Sequence, residues 1–405
     1  SLGYVISEEN FWKENLGFIN FAKIRGSWGQ TGNDLIDPYQ YLAFYSSPYS
    51  SSYANSPLLF ISGSGTSLKQ ALQEGVVPNR GVTWETAIQQ NIGVDLRFLK
   101  GNLTFTADYF NNKRKDILWA RNASVPNTAG MSLPDENIGK VKNTGVDFSL
   151  NYQNRVNEFD YQIGINGVYS KNKILFWDEP PGAPEYQQST GRPINSELYY
   201  RAIGVFKDQA AIDDYPHWNG ARPGDIIFED YNNDKKIDAN DRVRYDKSST
   251  PTFTGGLNID MSYKGFDLSV LFQSATGGVF YEATESGDIG NFLKSFYDNR
   301  WTEENQSSKH PRTFNRGNEY WVNQDNTYWL HKTDYVRLKN IELGYTLSNS
   351  VSNRFKIENI RVYLSAFNLF TFSPDMKDFD PENVSDDGQN YPLNKVVNVG
   401  LSVTF

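Results

Sequence analysis

The chain predicts an all-β fold: an antiparallel β-barrel that crosses a membrane with strands. Three observations predict it. Segments of two-residue alternation recur along the 405 residues, very short connections between them alternate with very long ones, and the chain ends on Val396-Val-Asn-Val-Gly-Leu-Ser-Val-Thr-Phe405. In that last segment Val397, Val399, Leu401, Val403 and Phe405 share one face, and Asn398, Gly400, Ser402 and Thr404 the other. A strand with an oily side and a small polar side, finishing on an aromatic residue, suits the closing strand of an outer-membrane barrel, where lipid meets one face and a watery lumen the other. By itself the segment also fits a half-buried strand of a soluble sandwich.

Composition agrees with the barrel. Aromatic residues make up 15% of the chain, yet the mean hydropathy of −0.60 is that of a very polar protein. Aromatic girdles around a lipid band, with a wet interior and wet loops, reconcile the two. No apolar run approaches the roughly 20 residues that a spanning helix needs. A net charge of −9 without a basic stripe argues against nucleic acid as a partner. The absence of cysteine excludes a disulfide scaffold and a Cys-ligated metal. Ser1 is followed by no charged-then-apolar signal segment, so the chain reads as a processed or truncated piece.

The elements follow in order. A first strand is expected near 21–29. Ile92, Val94, Leu96 and Phe98 alternate with polar neighbours, and Lys100-Gly101-Asn102 turns the chain into Leu103, Phe105, Ala107 and Tyr109, a hairpin. Val146, Phe148, Leu150 and Tyr152 form a second with Tyr161, Ile163 and Ile165. Leu257, Ile259, Met261 and Tyr263 form a third with Phe266, Leu268, Val270 and Phe272, through Lys264-Gly265. A fourth pairs 334–347 with 358–370, although Val336 and Leu338 are out of phase with Ile341, Leu343 and Tyr345. With the final strand this makes about ten. The excursions 30–83, 114–141, 172–253, 277–333 and 371–395 all fall at the end opposite the short turns, as extracellular loops do. Ten strands with such loops make a poor closed barrel of their own, so further strands are expected to complete the ring.

Several blocks, in this order along the chain, resemble the SusC/RagA-type TonB-dependent outer-membrane transporters of Bacteroidota. They are Ile24-Arg-Gly-Ser-Trp-Gly-Gln-Thr-Gly-Asn33, Trp84-Glu-Thr with Asn91-Ile-Gly-Val-Asp95, Asn137-Ile-Gly-Lys-Val-Lys-Asn-Thr-Gly145, Tyr263-Lys-Gly-Phe-Asp-Leu268, Arg300-Trp-Thr-Glu-Glu-Asn305, Asn326-Thr-Tyr-Trp-Leu with Asp334-Tyr-Val-Arg-Leu-Lys-Asn-Ile-Glu-Leu-Gly-Tyr345, and Ala366-Phe-Asn-Leu-Phe370. The resemblance covers essentially the whole chain. It implies the carboxy-terminal part of a single barrel domain, about the last ten strands of a barrel of about 22, with signal peptide, plug, TonB box and early strands lying outside residues 1–405. It further implies a multi-pass protein of the cell outer membrane that imports oligosaccharides or peptides. Its partners would be a SusD-like surface lipoprotein, TonB through the amino-terminal region, and outer-membrane lipid.

One motif carries inorganic chemistry. In Asp230-Tyr-Asn-Asn-Asp-Lys-Lys-Ile-Asp-Ala-Asn-Asp241, Asp230, Asn232, Asp234, Asp238 and Asp241 occupy positions 1, 3, 5, 9 and 12 of an EF-hand-like calcium loop, and Lys236 would offer its backbone carbonyl. Lys235 stands where glycine usually makes the sharp turn, and Asp241 is shorter than the usual bidentate Glu. The resemblance implies a similar loop at this place. The plain alternative is an acidic, solvated loop in which Asn and Asp cap turns.

Catalysis finds no foothold, and an enzyme is not expected. His217, His310 and His331 are far apart in sequence and read as lone surface histidines. No triad or nucleophile elbow occurs. Asp213-Asp214 and Glu303-Glu304 are chain neighbours that cannot converge on a glycosidic bond. Gly63-Ser-Gly65 lacks the strand-to-helix context of a phosphate loop, and Asn122-Ala-Ser124 and Asn383-Val-Ser385 match glycan acceptors only formally. Two aromatic groups, Tyr39, Tyr41, Phe44, Tyr45, Tyr49 and Tyr53, and Tyr320, Trp321, Tyr328 and Trp329, either stack on a ligand or pack loop on loop, the latter being favoured. The competing functional readings are a soluble, calcium-stabilised extracellular β-protein that binds glycans, and a structural barrel subunit of a larger outer-membrane complex.

Overall fold

In the computed structural model, the described residues are 1–46, 59–62, 65–68, 73–74, 76–121, 133–282, 292–306, 309–314, 319–348, 357–385 and 390–405. Eleven strands form one antiparallel sheet: β1 (Leu2–Val5), β2 (Ile19–Asn33), β3 (Glu85–Phe98), β4 (Leu103–Ala120), β5 (Asp135–Val156), β6 (Phe159–Phe176), β7 (Phe253–Tyr263), β8 (Phe266–Thr276), β9 (Tyr335–Thr346), β10 (Asn359–Phe372) and β11 (Val396–Thr404). Each bonds only to its neighbours in this series, an up-and-down meander. The sheet stays open: β1 pairs with β2 and β11 with β10, and these two outer strands do not pair with each other.

The expected hairpins are all present, and the count is one higher than expected. The extra strand, β1, places Leu2, Gly3, Tyr4 and Val5 opposite Gly26, Arg25, Ile24 and Lys23. Four residues show too little alternation to be read as a strand. The turns end the strands sharply. Val156 pairs with Phe159 and Tyr263 with Phe266, leaving two-residue connections in which Asn157, Lys264 and Gly265 take positive φ of 58°, 48° and 87°.

Strand lengths correct the expected excursions. β4 runs on to Ala120 and β5 starts at Asp135, so half of 114–141 lies in strands and its connection is only 121–134. The other long connections are 34–84, 177–252, 277–334 and 373–395. A strand needs about 9–11 residues to cross lipid, and β5 has 22, so the sheet continues well beyond the membrane. Those polar extensions are held by main-chain ladder bonds, which leave no hydrophobic alternation to read.

The phase conflict in β9 is a bulge. Val270 faces Ile341 and Leu271 faces Asn340, but Phe272 faces Leu338, so Lys339 is the extra residue. It returns Val336 and Leu338 to the face of Ile341, Leu343 and Tyr345.

Candidate functional site

The sheet has one apolar and one polar face, and each is built for a different solvent. On the apolar face Val397, Val399 and Leu401 of β11 stand exposed, Val399 at 80%, with no protein layer against them. Aromatic rings gather at the short-turn end of this face. Phe159 lies 5.5 Å from Tyr161 and 6.4 Å from Tyr263, Tyr152 is 5.7 Å from Tyr161, and Phe266 is 4.5 Å from Tyr345, centroid to centroid. Ten residues further along the same face, Tyr169 on β6 is paired with Phe253 on β7. At about 3.3 Å per residue and about 40° of tilt, that span rises roughly 25 Å, the height of a lipid-facing band between two aromatic girdles. Ile163, Ile165, Leu257 and Ile259 fill it.

The polar face carries ion clusters that tie strands together. The Arg25 guanidinium on β2 donates to both carboxylate oxygens of Asp95 on β3, at 2.9 Å each, and of Asp108 on β4, at 2.8 Å each. Asp147 on β5 stands in register opposite Asp108. At the other end of the meander Arg361 on β10 bonds Asp267 on β8, with Nε to Oδ1 at 3.0 Å, and Glu342 on β9 at 2.7 Å. Gly93 and Gly344, both inside the sequence blocks quoted above, leave the room for these clusters. A Cβ on Gly93 would strike Asp108 and Arg25, and one on Gly344 would strike Arg361 and Asp267. Arg337 is fully buried between Asp380 (2.6 Å) and Glu382 (3.0 Å), pinning the connection 373–395 against the wall.

Beyond the long-loop end, two connections fold into one cap with its own hydrophobic core. Tyr200, Phe206, Ile212, Trp218, Ile226 and Phe228 from 177–252 pack with Phe296, Phe314, Trp321 and Trp329 from 277–334. Tyr200 stacks on Phe228 at 4.7 Å, and Phe314 meets Trp321 edge-on at 4.8 Å. Main-chain bonds zip the loops: Tyr200 N–H to Asp325 O and Thr327 N–H to Tyr200 O, both 2.9 Å, and Arg312 N–H to Gly224 O at 2.8 Å. At the centre Asp225, 1% exposed, accepts from Arg312 Nε at 2.8 Å and Trp321 Nε1 at 3.1 Å, while Glu319 bridges Arg222 at 2.6 Å and Arg312 at 2.7 Å. Burial pushes the Asp225 carboxyl up against the pull of Arg312. Burial also acts to raise Glu319, and its two guanidinium partners outweigh it, so Glu319 is held below the usual range.

The two aromatic groups therefore part company. Trp321 and Trp329 are buried loop on loop, with Tyr320 and Tyr328 packed beside them. Tyr39, Tyr41, Phe44 and Tyr45 are exposed. Tyr49, Tyr53, Gly63, Ser64 and Asn122-Ala-Ser124 lie outside the described residues.

The acidic loop packs on the cap through Ile237. Its side chains serve its own amides. Asp230 accepts from Asp234 N–H (3.1 Å) and Lys235 N–H (2.9 Å), Asn232 from Asp234 N–H (2.9 Å), Asp234 from Lys236 N–H (2.9 Å), and Asp238 from Asn240 N–H (2.8 Å). Asp241, fully buried, accepts from Tyr231 N–H (3.0 Å) and Asp238 N–H (2.8 Å). Lys235 adopts φ of 66°, so the sharp turn is made without glycine. The donor chemistry is the hard oxygen set that calcium takes. Among the described residues, however, no three His, Cys, Asp or Glu side chains converge as a metal-binding group.

Among the other sequence candidates, Asp213, Asp214, Glu303 and Glu304 are exposed, and His217 Nδ1 lies 2.8 Å from Tyr215 O. His310 is not a lone surface residue. It is half buried, which lowers its pKa, with Nδ1 2.8 Å from Tyr328 Oη, and it shares a cavity with His331. The sequence reading missed that cavity because its walls come from separate stretches spread between Glu282 and Phe379.

The family model described as TonB dependent receptor-like, beta-barrel matches residues 10–369. The chain belongs to that family. Its relatives include TonB-dependent receptor P3 of Formosa agariphila, 29% identical over 438 residues, and TonB-dependent receptor SusC of Bacteroides thetaiotaomicron, 26% identical over 412. Both matches cover all of this chain, but 41% and 39% of the relatives, so the chain spans about two fifths of their length. The fold of a solved RagAB peptide transporter superposes with a TM-score of 0.73 at 24% identity, covering all of this chain and 43% of that one. Barrels of this receptor family reside in the outer membrane.

Proposed function

We propose that this TonB-dependent barrel forms the wall of an importer of oligosaccharides or peptides in the cell outer membrane. The observation that carries the reading is the sheet's two-solvent construction: a girdled apolar band outside, ion clusters on the lumen side, and a packed cap at the long-loop end. The chain is the carboxy-terminal part of a barrel domain whose remaining strands close the ring, with plug and TonB contact supplied by the amino-terminal region. The cap and its neighbouring loops are the docking side for a SusD-like lipoprotein. In the whole protein, uptake abolished by loss of TonB, heat-modifiable gel migration and co-purification of the lipoprotein support this. Recovery of the protein in buffer without detergent would instead make it a soluble glycan-binding module, and an intact barrel with no uptake a structural subunit.

Calcium belongs to the same reading. The spacing of Asp230, Asn232, Asp234, Asp238 and Asp241, and the left-handed turn at Lys235, support a loop that closes on Ca²⁺, with Lys236 contributing its carbonyl. Its role would be to hold the cap in shape. Replacing Asp230 and Asp234 by Ala is expected to raise protease sensitivity of 206–253 and to weaken lipoprotein binding while barrel assembly survives. If added calcium leaves the proteolysis pattern of the unmodified protein unchanged, the loop is no calcium site.

A further inference from the structure

Beneath the cap lies a cavity of about 350 Å³, walled by Phe296, His310, Tyr328 and Trp329 from the cap and by Pro374–Phe379 from the connection before β11. Two buried polar groups line it without partners among the described residues. Glu282 is 2% exposed and its Oε1 accepts no hydrogen bond, while the indole Nε1–H of Trp329, 3% exposed, donates none. They are neighbours by construction. The short pair Val279–Tyr281 and Leu330–Lys332 continues one step, with Glu282 N–H donating to Trp329 O at 2.9 Å, which sets both side chains on one face of the ladder.

An unmet buried acceptor or donor costs about 1–3 kcal/mol, so two in one cavity call for an occupant. The occupant must donate to Glu282 and accept from Trp329. A buried carboxylate is best met by a cation, and aromatic walls favour one further. Asp375 and Asp378 at the rim, against Lys377 alone, give the cavity an acidic approach. We propose that this cavity binds a primary ammonium group with an adjacent carbonyl, the pattern of a peptide amino terminus or an amino-acid amide. Glu282 pairs with the ammonium, Trp329 Nε1–H donates to the carbonyl, and the rings of Phe296 and Tyr328 enclose the side chain.

The cavity carries the corresponding electrostatics. Burial pushes the Glu282 carboxyl up to about 7. A cation binds the ionised form, so affinity rises as pH climbs towards that value. The other titratable or charged groups facing the cavity are His310, Tyr328, His331, Asp375, Lys377 and Asp378. An H331Q control separates the histidine beside Asp375 from Glu282.

Calorimetric titration of the whole detergent-purified protein tests this, using leucinamide, its N-acetyl derivative without an ammonium, and methyl glucoside as a neutral hydroxylated ligand. Leucinamide is expected to bind about tenfold tighter at about pH 7 than at about pH 5.5, since the ionised fraction of Glu282 grows by about that factor. The N-acetyl compound and the glucoside should not bind. E282Q should lose at least about tenfold in affinity and flatten the pH profile, E282D and H331Q should retain the profile, and W329F should lose about threefold to tenfold. No heat from leucinamide, equal binding of the N-acetyl form, or preferred binding of the glucoside overturns the proposal. The biological use rests on the import reading, since these loops must face outward. Binding is measured without uptake, however, so the two readings fail separately.

Discussion

The barrel wall and the loop cap are folded by different solvents. In the wall, neighbours in sequence are neighbours in space: β3 pairs with β4, and β5 with β6, through turns of a few residues, and apolar side chains point to lipid rather than to a core. In the cap, Tyr200, Phe228, Phe296 and Trp321 meet across about a hundred residues and bury themselves from water in the usual globular way. The wall needs no interior of its own, since the bilayer supplies the apolar phase and the lumen the wet one. The cap has water on its outside and must build a core. Damage to one region should therefore spare the other.

The sharpest break in that comparison is Trp321→Ala. Removing a fully buried indole costs about 3–5 kcal/mol, and it also strips Asp225 of a donor. Limited proteolysis is expected to open 206–329 while heat-modifiable migration of the barrel persists; loss of both together would mean that wall and cap fold as one unit. Next comes Leu257→Arg in the middle of the apolar band. A charge there costs about 2–4 kcal/mol in lipid, and should reduce assembled barrel in the membrane fraction without altering cap proteolysis in the molecules that do assemble.

The third effect depends on pH. Glu282 has its carboxyl raised to about 7 by burial, so the stability it contributes is full below its unfolded pKa and is lost as pH rises through about 7. The cap is expected to weaken by roughly 2 kcal/mol between about pH 4.5 and pH 8, allowing for solvent access to the cavity. E282Q should remove that slope in hydrogen exchange of 279–282 and 329–332. Smallest is Gly93→Ala, which drives a methyl group into Arg25 and Asp108. About 1–3 kcal/mol of overpacking is expected, read as a lower unfolding temperature of the barrel with the cap unchanged.

Much of the wall was legible in the residues. The closing strand, the three clear hairpins, the short-turn and long-loop ends and the family resemblance all rest on patterns within about twenty residues. The misreadings share a cause. In strand extensions such as Asp135–Gly145 the buried positions, Gly139, Val141 and Gly145, are mostly glycine, so no apolar alternation marks them, and the ladder that extends them is made by backbone groups. Lys339 shifted the phase of β9 through a bulge, a property of two strands in register rather than of one.

Sequence alone determined what period two and turn chemistry can encode: which segments are strands and which face of each meets lipid. Tertiary structure decided which distant groups meet. It buried Trp321 and Trp329 in the packing that the sequence favoured over binding, drew Arg312 onto Asp225 and Glu319, and, among the described residues, left Glu282 Oε1 and Trp329 Nε1 without hydrogen-bond partners beside His310 and His331. The physical reason is range. Strand pattern is set by solvent contact at each residue, whereas a core or cavity exists only after loop closure has brought segments about a hundred residues apart into contact.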